Sequence, residues 1–134
     1  MVKFLECWII TQDGMTLFHE REKNIQTVDK NLISGFLTAF QSMLKVSKQG
    51  DVEAIRFKNT KLLIKTEDEP FKLYFIGRTK DGERDRSIKK ELGKLSEKFV
   101  LQYWSELESW QGNISVFMNF QTELDGLFKN PIVE

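Results

Sequence analysis

The run from Phe71 to Ile76 constrains the fold of this chain more than any other feature. It is aromatic or branched apart from one lysine, which suits a β-strand that is covered on both faces. A strand of that kind requires a packed layer on each side of its sheet. The rest of the chain must therefore supply amphipathic helices for both faces.

Apolar residues recur at helical spacing in three other segments. The first runs from about Asp29 to Lys48. The second runs from Ile88 to Trp110 and is stopped by Gly112-Asn113. The third covers about Ser115 to Lys129, where Ser115 is placed to cap the first turn. These segments predict one helix before the covered strand and two helices after it.

Four further segments have the composition of strands. Phe4 to Thr11 and Met15 to Glu22 flank Asp13-Gly14, a dipeptide suited to a tight hairpin turn. Val52 to Lys58 and Lys61 to Thr66 predict a second hairpin. The predicted order is ββαβββαα, an α/β (α+β) fold.

Length and charge limit the class of protein. The chain has 134 residues, close to the commonest size of a domain, and we expect residues 1–134 to form a single one. Its 20 basic and 20 acidic side chains cancel, so no nucleic-acid partner is expected. Cys7 is the single cysteine, which predicts a reducing compartment, the cytoplasm. No apolar run approaches the roughly 20 residues that cross a bilayer.

The order of elements and several motifs resemble the longin, or SNARE-like, family over nearly the whole chain. The resemblance rests on the N-terminal strand, the Asp13-Gly14 hairpin and the Leu32 to Phe40 helix segment. It also includes the Arg56 to Ile64 hairpin and the aromatic residues between Phe99 and Trp110. The chain is most similar to stand-alone, archaeal-type forms. No SNARE coiled coil follows the last predicted helix, so we expect no fusion role.

The longin resemblance implies a fold and a role. The fold is a longin-like (profilin-like) sandwich, in which a five-stranded mixed sheet has one helix on one face and two on the other. The role is a non-catalytic platform or adaptor for protein partners, which are the same chain, another longin or roadblock-type domain, or a small GTPase. Membrane association is at most peripheral and through partners, and no cofactor is implied.

Longin domains commonly dimerise through the first helix and the third strand, so the resemblance implies a contact there. The Val52 to Lys58 strand is predicted to be a sheet edge, and edges are natural pairing sites. The residues predicted to line a protein contact are Leu37, Leu44, Val52, Ala54, Arg56 and Lys58. An alternative is that the two leucines of this set fill the core while Arg56 and Lys58 keep the edge soluble.

The sequence shows no catalytic motif. Neither a phosphate-binding Walker loop nor a dinucleotide-binding glycine pattern occurs. His19 and Cys7 are each interpreted as ordinary strand residues rather than as parts of a nucleophilic pair. The acidic run Glu67 to Glu69 predicts a solvated turn rather than a metal site. We therefore expect no enzyme, no metal and no cofactor.

Two further hypotheses stay open. A small-molecule sensor would hold its ligand in a closed apolar cavity with convergent polar groups. On the long helix, Lys90, Lys94 and Lys98 are either a solvated face or a contact for an acidic surface. Val100 and Trp104 either pack inside the domain or meet a partner.

Overall fold

Five strands form one sheet in the computed structural model, which describes residues 2–21, 54–56 and 58–120. The strand order across the sheet is β2-β1-β5-β4-β3, and each of the four neighbouring pairs is antiparallel. The strands are β1 (Glu6–Thr11), β2 (Thr16–Arg21), β3 (Ala54–Arg56), β4 (Thr60–Glu67) and β5 (Leu73–Lys80).

The antiparallel pairing corrects the expectation of a mixed sheet. Because every neighbour is antiparallel, β2 and β3 run in the same direction, but three strands separate them at opposite edges. The connection that joins them along the chain therefore creates no parallel pair among the described strands. The predicted five-stranded sheet with helices is confirmed.

The first hairpin is confirmed in its details. Gly14 has φ 94°, the left-handed region that favours glycine. The Thr11 N–H donates to the Met15 carbonyl at 2.8 Å, and the Gly14 N–H donates to the Thr11 carbonyl at 3.0 Å. The Asp13-Gly14 turn therefore sets the pairing of β1 with β2.

Strand β5 differs from its predicted extent at both ends. It continues through Lys80, whereas the sequence pattern ends at Ile76, because β1 and β4 pair with it on either side up to Arg78 and Lys80. Phe71 lies before the strand and stacks on Trp110, with ring centroids 6.0 Å apart. Covering on both faces is confirmed, since every residue from Leu73 to Thr79 is buried.

The long helix, α1, spans Asp85–Glu108. Its predicted stripe is buried, and Trp110 follows the end of the helix and packs against the same core. Gly112 then reverses the chain at φ 96°. The buried residues of α1 are Ile88, Leu92, Leu95, Ser96, Phe99, Tyr103 and Leu107.

The start of the last predicted helix is a 3₁₀ helix, Ile114–Phe120, within the described residues. Ser115 does not cap it as predicted. Instead, the Asn113 side-chain oxygen accepts hydrogen bonds from the Ser115 N–H at 3.0 Å and from its hydroxyl at 2.7 Å. Asn113 is better placed because it directly precedes the first helical residue.

Two apolar clusters lie on opposite faces of the sheet. One joins the sheet to α1 and to the 3₁₀ helix, through contacts that include Phe75 with Phe99 and Phe18 with Phe120. Both C-terminal elements therefore share one face. The other cluster consists of Trp8, Ile10, Leu62, Ile64, Tyr74 and Ile76, all at most 5% exposed.

Some predictions fall outside the described residues. They are the first helix, about Asp29 to Lys48, and the last predicted helix beyond Phe120. Neither of the two helices that the structure describes combines the length and the apolar content of a membrane span.

Candidate functional site

Strand β3 forms one edge of the sheet and presents a small polar surface. Ala54 and Arg56 are exposed, whereas Ile55 is partly buried and packs against the second cluster. Since side chains alternate along a strand, Ala54 and Arg56 point to the α1 face and Ile55 points to the opposite face. The edge therefore has one polar and one apolar side.

An ion network fixes Arg56 on this edge. Arg56 lies directly opposite Lys61 of β4, and two like charges in that position destabilise a sheet. Asp85, the first residue of α1, offsets the repulsion because its carboxylate accepts a hydrogen bond from each of the two cations. Lys61 Nζ donates to Asp85 Oδ1 at 2.6 Å, and Arg56 Nη2 donates to Oδ2 at 2.7 Å. One carboxylate thus bridges β3, β4 and the helix.

The geometry of Lys61 explains why the network is ordered. Its side chain is only 4% exposed, so the ammonium group needs partners to offset its lost hydration. Besides Asp85, it donates to the Glu83 carbonyl in the turn before α1. Arg56 remains 56% exposed, and Asp81 contacts it at 3.7 Å. The buried lysine anchors the carboxylate, and the carboxylate positions the exposed guanidinium.

The pKa of Asp85 is lowered below its ordinary value of 3.8, first by the hydrogen bond from Lys61 and then by the charges of Lys61 and Arg56. A group with a lowered folded pKa stabilises the protein above its unfolded pKa and loses that effect as the pH falls through its folded pKa. We therefore expect Asp85→Asn to be less stable than wild type at neutral pH, and the difference to shrink below about pH 4.

Urea unfolding between pH 2.5 and 7 measures this difference. Asp81→Asn is the control, because Asp81 is 56% exposed and its contact with Arg56 is longer. We expect it to change stability little at any pH. A constant difference between wild type and Asp85→Asn down to the lowest pH would contradict the assigned role of Asp85.

The predicted contact residues are placed as follows. Ala54 and Arg56 lie together on β3, as expected from the sequence. Lys58 is exposed but lies in the bend that follows β3, not in the strand, because β4 already begins at Thr60 and the chain must reverse between them. Leu37, Leu44 and Val52 lie outside the described residues.

A second charged cluster lies on β1, β2 and β5. Glu6 is fully buried, and its Oε1 accepts from Arg78 Nε at 2.8 Å, with Arg78 Nη2 at 2.7 Å from the same oxygen. Its other oxygen lies 2.8 Å from His19 Nε2. The His19 ring stacks on the Trp8 ring, with the ring centroids 5.3 Å apart. These contacts tie three strands together, which is a structural role for the single histidine.

Cys7 and His19 do not form a nucleophilic pair. Cys7 belongs to the cluster under α1, whereas His19 stacks on Trp8 of the opposite cluster, so the sheet separates them. Burial raises the pKa of the Cys7 thiol far above its ordinary value, and the nearby carboxylates of Glu6 and Glu20 add to this. The thiol is therefore a protonated core group.

The outer face of α1 is charged and partly apolar. Val100 packs against the core, which favours its structural interpretation, whereas Trp104 is 39% exposed. Lys94 pairs with Glu91 at 3.7 Å. A groove of about 360 Å³ runs along this face, but exposed charged side chains line much of it. It is not the closed apolar cavity that a small-molecule sensor would need.

The side chains that could bind a metal ion lie apart from one another in the described part of the chain. The residues that the structure describes contain no group of three or more histidine, cysteine or acidic side chains that could hold a metal ion. In the acidic run, Glu67 accepts a hydrogen bond from the Ser96 hydroxyl at 2.9 Å, while Asp68 and Glu69 are exposed. The β3 edge with its ion network is therefore the candidate functional site.

Comparison with known proteins identifies the fold. No protein-family model and no curated protein sequence matches the chain. Among solved structures, it is similar to a Roadblock/LC7 domain from Streptomyces avermitilis, with a TM-score of 0.58 and 12% identity over 77% of this chain and 87% of that one.

The chain is also similar to solved structures of MglB. The chain is similar to MglB of Myxococcus xanthus, with a TM-score of 0.53 and 13% identity over 72% of this chain and 83% of that one. It is also similar to MglB in a tetrameric arrangement, with a TM-score of 0.50 and 13% identity over 68% and 70%. At such identities the likeness concerns the fold alone, and it supports the predicted longin-like architecture.

Proposed function

We propose that this chain is a non-catalytic protein-interaction module of the cytoplasm, which self-associates through the β3 edge and regulates a small GTPase. The observation that carries the proposal is the exposed β3 edge, on which Asp85 holds Arg56 in place. A strand edge offers unpaired backbone groups to a second strand, and a fixed side chain loses less entropy on binding.

Two lines of support come from outside the edge itself. The fold is similar to Roadblock/LC7 and MglB structures, one of which is a tetrameric arrangement of MglB. The GTPase comes from the longin resemblance, which implies platforms for small GTPases. The alternative, in which Arg56 and Lys58 only keep the edge soluble, predicts a chain that stays monomeric.

Self-association is tested by Ala54→Lys, which adds a third cation to an exposed edge position next to Arg56 and Lys61. Charged residues on an edge strand oppose pairing with another strand. We expect the dissociation constant of the dimer to rise at least about tenfold, measured by sedimentation equilibrium.

The matched control is Gln102→Lys, which adds the same charge at an exposed position of α1. It should leave the dissociation constant unchanged. A wild-type chain that is monomeric at all concentrations would overturn the self-association, and so would equal effects of the two variants.

The GTPase part is tested separately. The wild-type chain is mixed with a panel of purified small GTPases, each loaded with GDP or with a non-hydrolysable GTP analogue, and association and nucleotide turnover are measured. We expect binding that depends on the nucleotide. Absence of binding in both states across the panel would overturn this half of the proposal without affecting the first.

A further inference from the structure

The exposed side of α1 carries a row of cations. Basic residues recur there at every fourth position, and residues four apart are neighbours on a helix surface. With a rise of 1.5 Å per residue, the row is roughly 18 Å long. Acidic residues offset it only in part, because Glu91 pairs with Lys94 at 3.7 Å and Glu97 is exposed beside Lys98. The cation row consists of Arg86, Lys90, Lys94 and Lys98.

Two exposed apolar side chains follow the cation row on the same helix. Leu101 is 72% exposed, and Trp104 is 39% exposed. Leu101 comes three residues after Lys98 and seven after Lys94, spacings that keep residues on one side of a helix. Trp104 comes three residues after Leu101. The exposed side of α1 therefore changes from basic to apolar along its length.

This combination matches an anionic bilayer surface better than an acidic protein. Apolar anchors between proteins insert into packed pockets within interfaces of more than about 1,000 Å², whereas a bilayer adapts to a convex helix. Tryptophan is enriched at the boundary between headgroups and hydrocarbon. Lysine and arginine keep their apolar stems along such a boundary while their charged ends reach the headgroups.

We propose that α1 binds the surface of an anionic lipid bilayer. The cation row contacts the headgroups, and Leu101 and Trp104 insert at the interface. This contact goes beyond the proposed self-association and GTPase regulation, since it requires neither of them. Because the charges of the whole chain cancel, the row acts only within a Debye length, about 10 Å at 0.1 M salt. The binding is therefore reversible and specific to anionic membranes.

Vesicle co-sedimentation of the full chain tests the proposal. The vesicles consist of phosphatidylcholine alone or of equal parts of phosphatidylcholine and phosphatidylserine. We expect at least about tenfold tighter binding to the anionic vesicles, and most of it should be lost at about 1 M salt. Equal binding to both kinds of vesicle would overturn the proposal. So would absence of binding to either, which is the result expected if the partner of this surface is an acidic protein.

The cation row is tested by Lys90→Gln combined with Lys94→Gln. Each basic residue near an anionic surface contributes about fivefold in affinity, so we expect binding to weaken at least about tenfold. The matched control is Lys65→Gln combined with Lys80→Gln, which removes the same charge at exposed positions of β4 and β5. It should change binding less than about twofold. Equal effects of the two double variants would overturn the role of the row.

The fluorescence of Trp104 reports insertion directly. We expect anionic vesicles to shift its emission to shorter wavelengths and brominated lipids to quench it. Trp104→Phe should lose these signals but still bind, because Trp8 is buried and Trp110 packs against the core. Leu101→Ser should weaken binding, since it removes an apolar group from the interface. Vesicle binding without any quenching of the wild-type chain would overturn the insertion.

Discussion

We expect the replacement of Gly77 by alanine to lower the free energy of unfolding by roughly 3 kcal/mol, the upper end of what overpacking a core usually costs. Gly77 lies in β5, opposite Cys7 of β1 and Leu63 of β4. A Cβ at this position would lie 2.4 and 2.8 Å from two ring atoms of Phe4. Phe4 is fully buried, so its ring cannot move aside without disturbing the core.

The control for this prediction is Gly93→Ala in the middle of α1. Apart from its chain neighbours and the backbone of its own helix, a Cβ there meets no atom of the described residues within 4 Å, and alanine is the better helix former. We expect Gly93→Ala to raise the free energy of unfolding by about 0.5 to 1 kcal/mol, so the same substitution has opposite signs at the two sites. Both are measured by urea unfolding monitored by circular dichroism.

A second substitution tests the cause. If the Phe4 ring is what the new methyl group meets, Phe4→Leu should lessen the cost of Gly77→Ala in the double variant. Strict additivity of the two costs would contradict the assigned contact. So would a Gly77→Ala variant as stable as wild type.

The contact of Gly77 with Phe4 also shows where sequence patterns stop being informative. A glycine within a strand pattern signals a close approach of another group, but the pattern does not say which group. Strand β5 was predicted from the aromatic and branched run that ends at Ile76, and the next four residues are Gly77, Arg78, Thr79 and Lys80. Those residues belong to the strand because neighbours on both sides pair with them.

The features that depend on residues close together in the sequence were predicted correctly. The Asp13-Gly14 turn fixes the first hairpin, and the steps of three and four along α1 identify its buried face. The 3₁₀ geometry of Ile114–Phe120 has no such signature, since its apolar residues also fit an α-helix. The sequence therefore predicted helical structure there but not its type.

The candidate site was predicted in part, because the contacts between residues far apart in the sequence leave no pattern in it. The exposed β3 edge follows from the predicted order of strands, and Arg56 was identified on it. The partners of Arg56 were not, because Lys61 and Asp85 are 24 residues apart and no repeat links them. The signal that was missed is Lys61 itself, a charged residue on the inward-facing side of a strand.

Breaking the buried pair between Glu6 and Arg78 has the largest effect that we expect. Arg78→Met removes the hydrogen bonds to Glu6 Oε1 and leaves a carboxylate that has no exposed surface. Removing one partner of a buried ion pair typically costs about 3 to 5 kcal/mol, because the remaining buried charge loses the hydrogen bonds from its opposite charge. The contact of Glu6 Oε2 with His19 stays in place. Arg78 lies in β5 and Glu6 in β1, so the loss weakens the centre of the sheet.

Two comparisons make this prediction specific. Lys94→Met removes one partner of the partly exposed pair with Glu91 and should cost less than about 1 kcal/mol. Glu6→Leu combined with Arg78→Met should recover most of the lost stability, because two apolar side chains carry no desolvation penalty. A double variant that loses as much as the two single variants together would contradict the explanation. The dimerisation of Arg78→Met is measured at a low temperature at which the variant is folded. If it then dimerises like wild type, pairing at the β3 edge does not depend on the stability of the sheet centre.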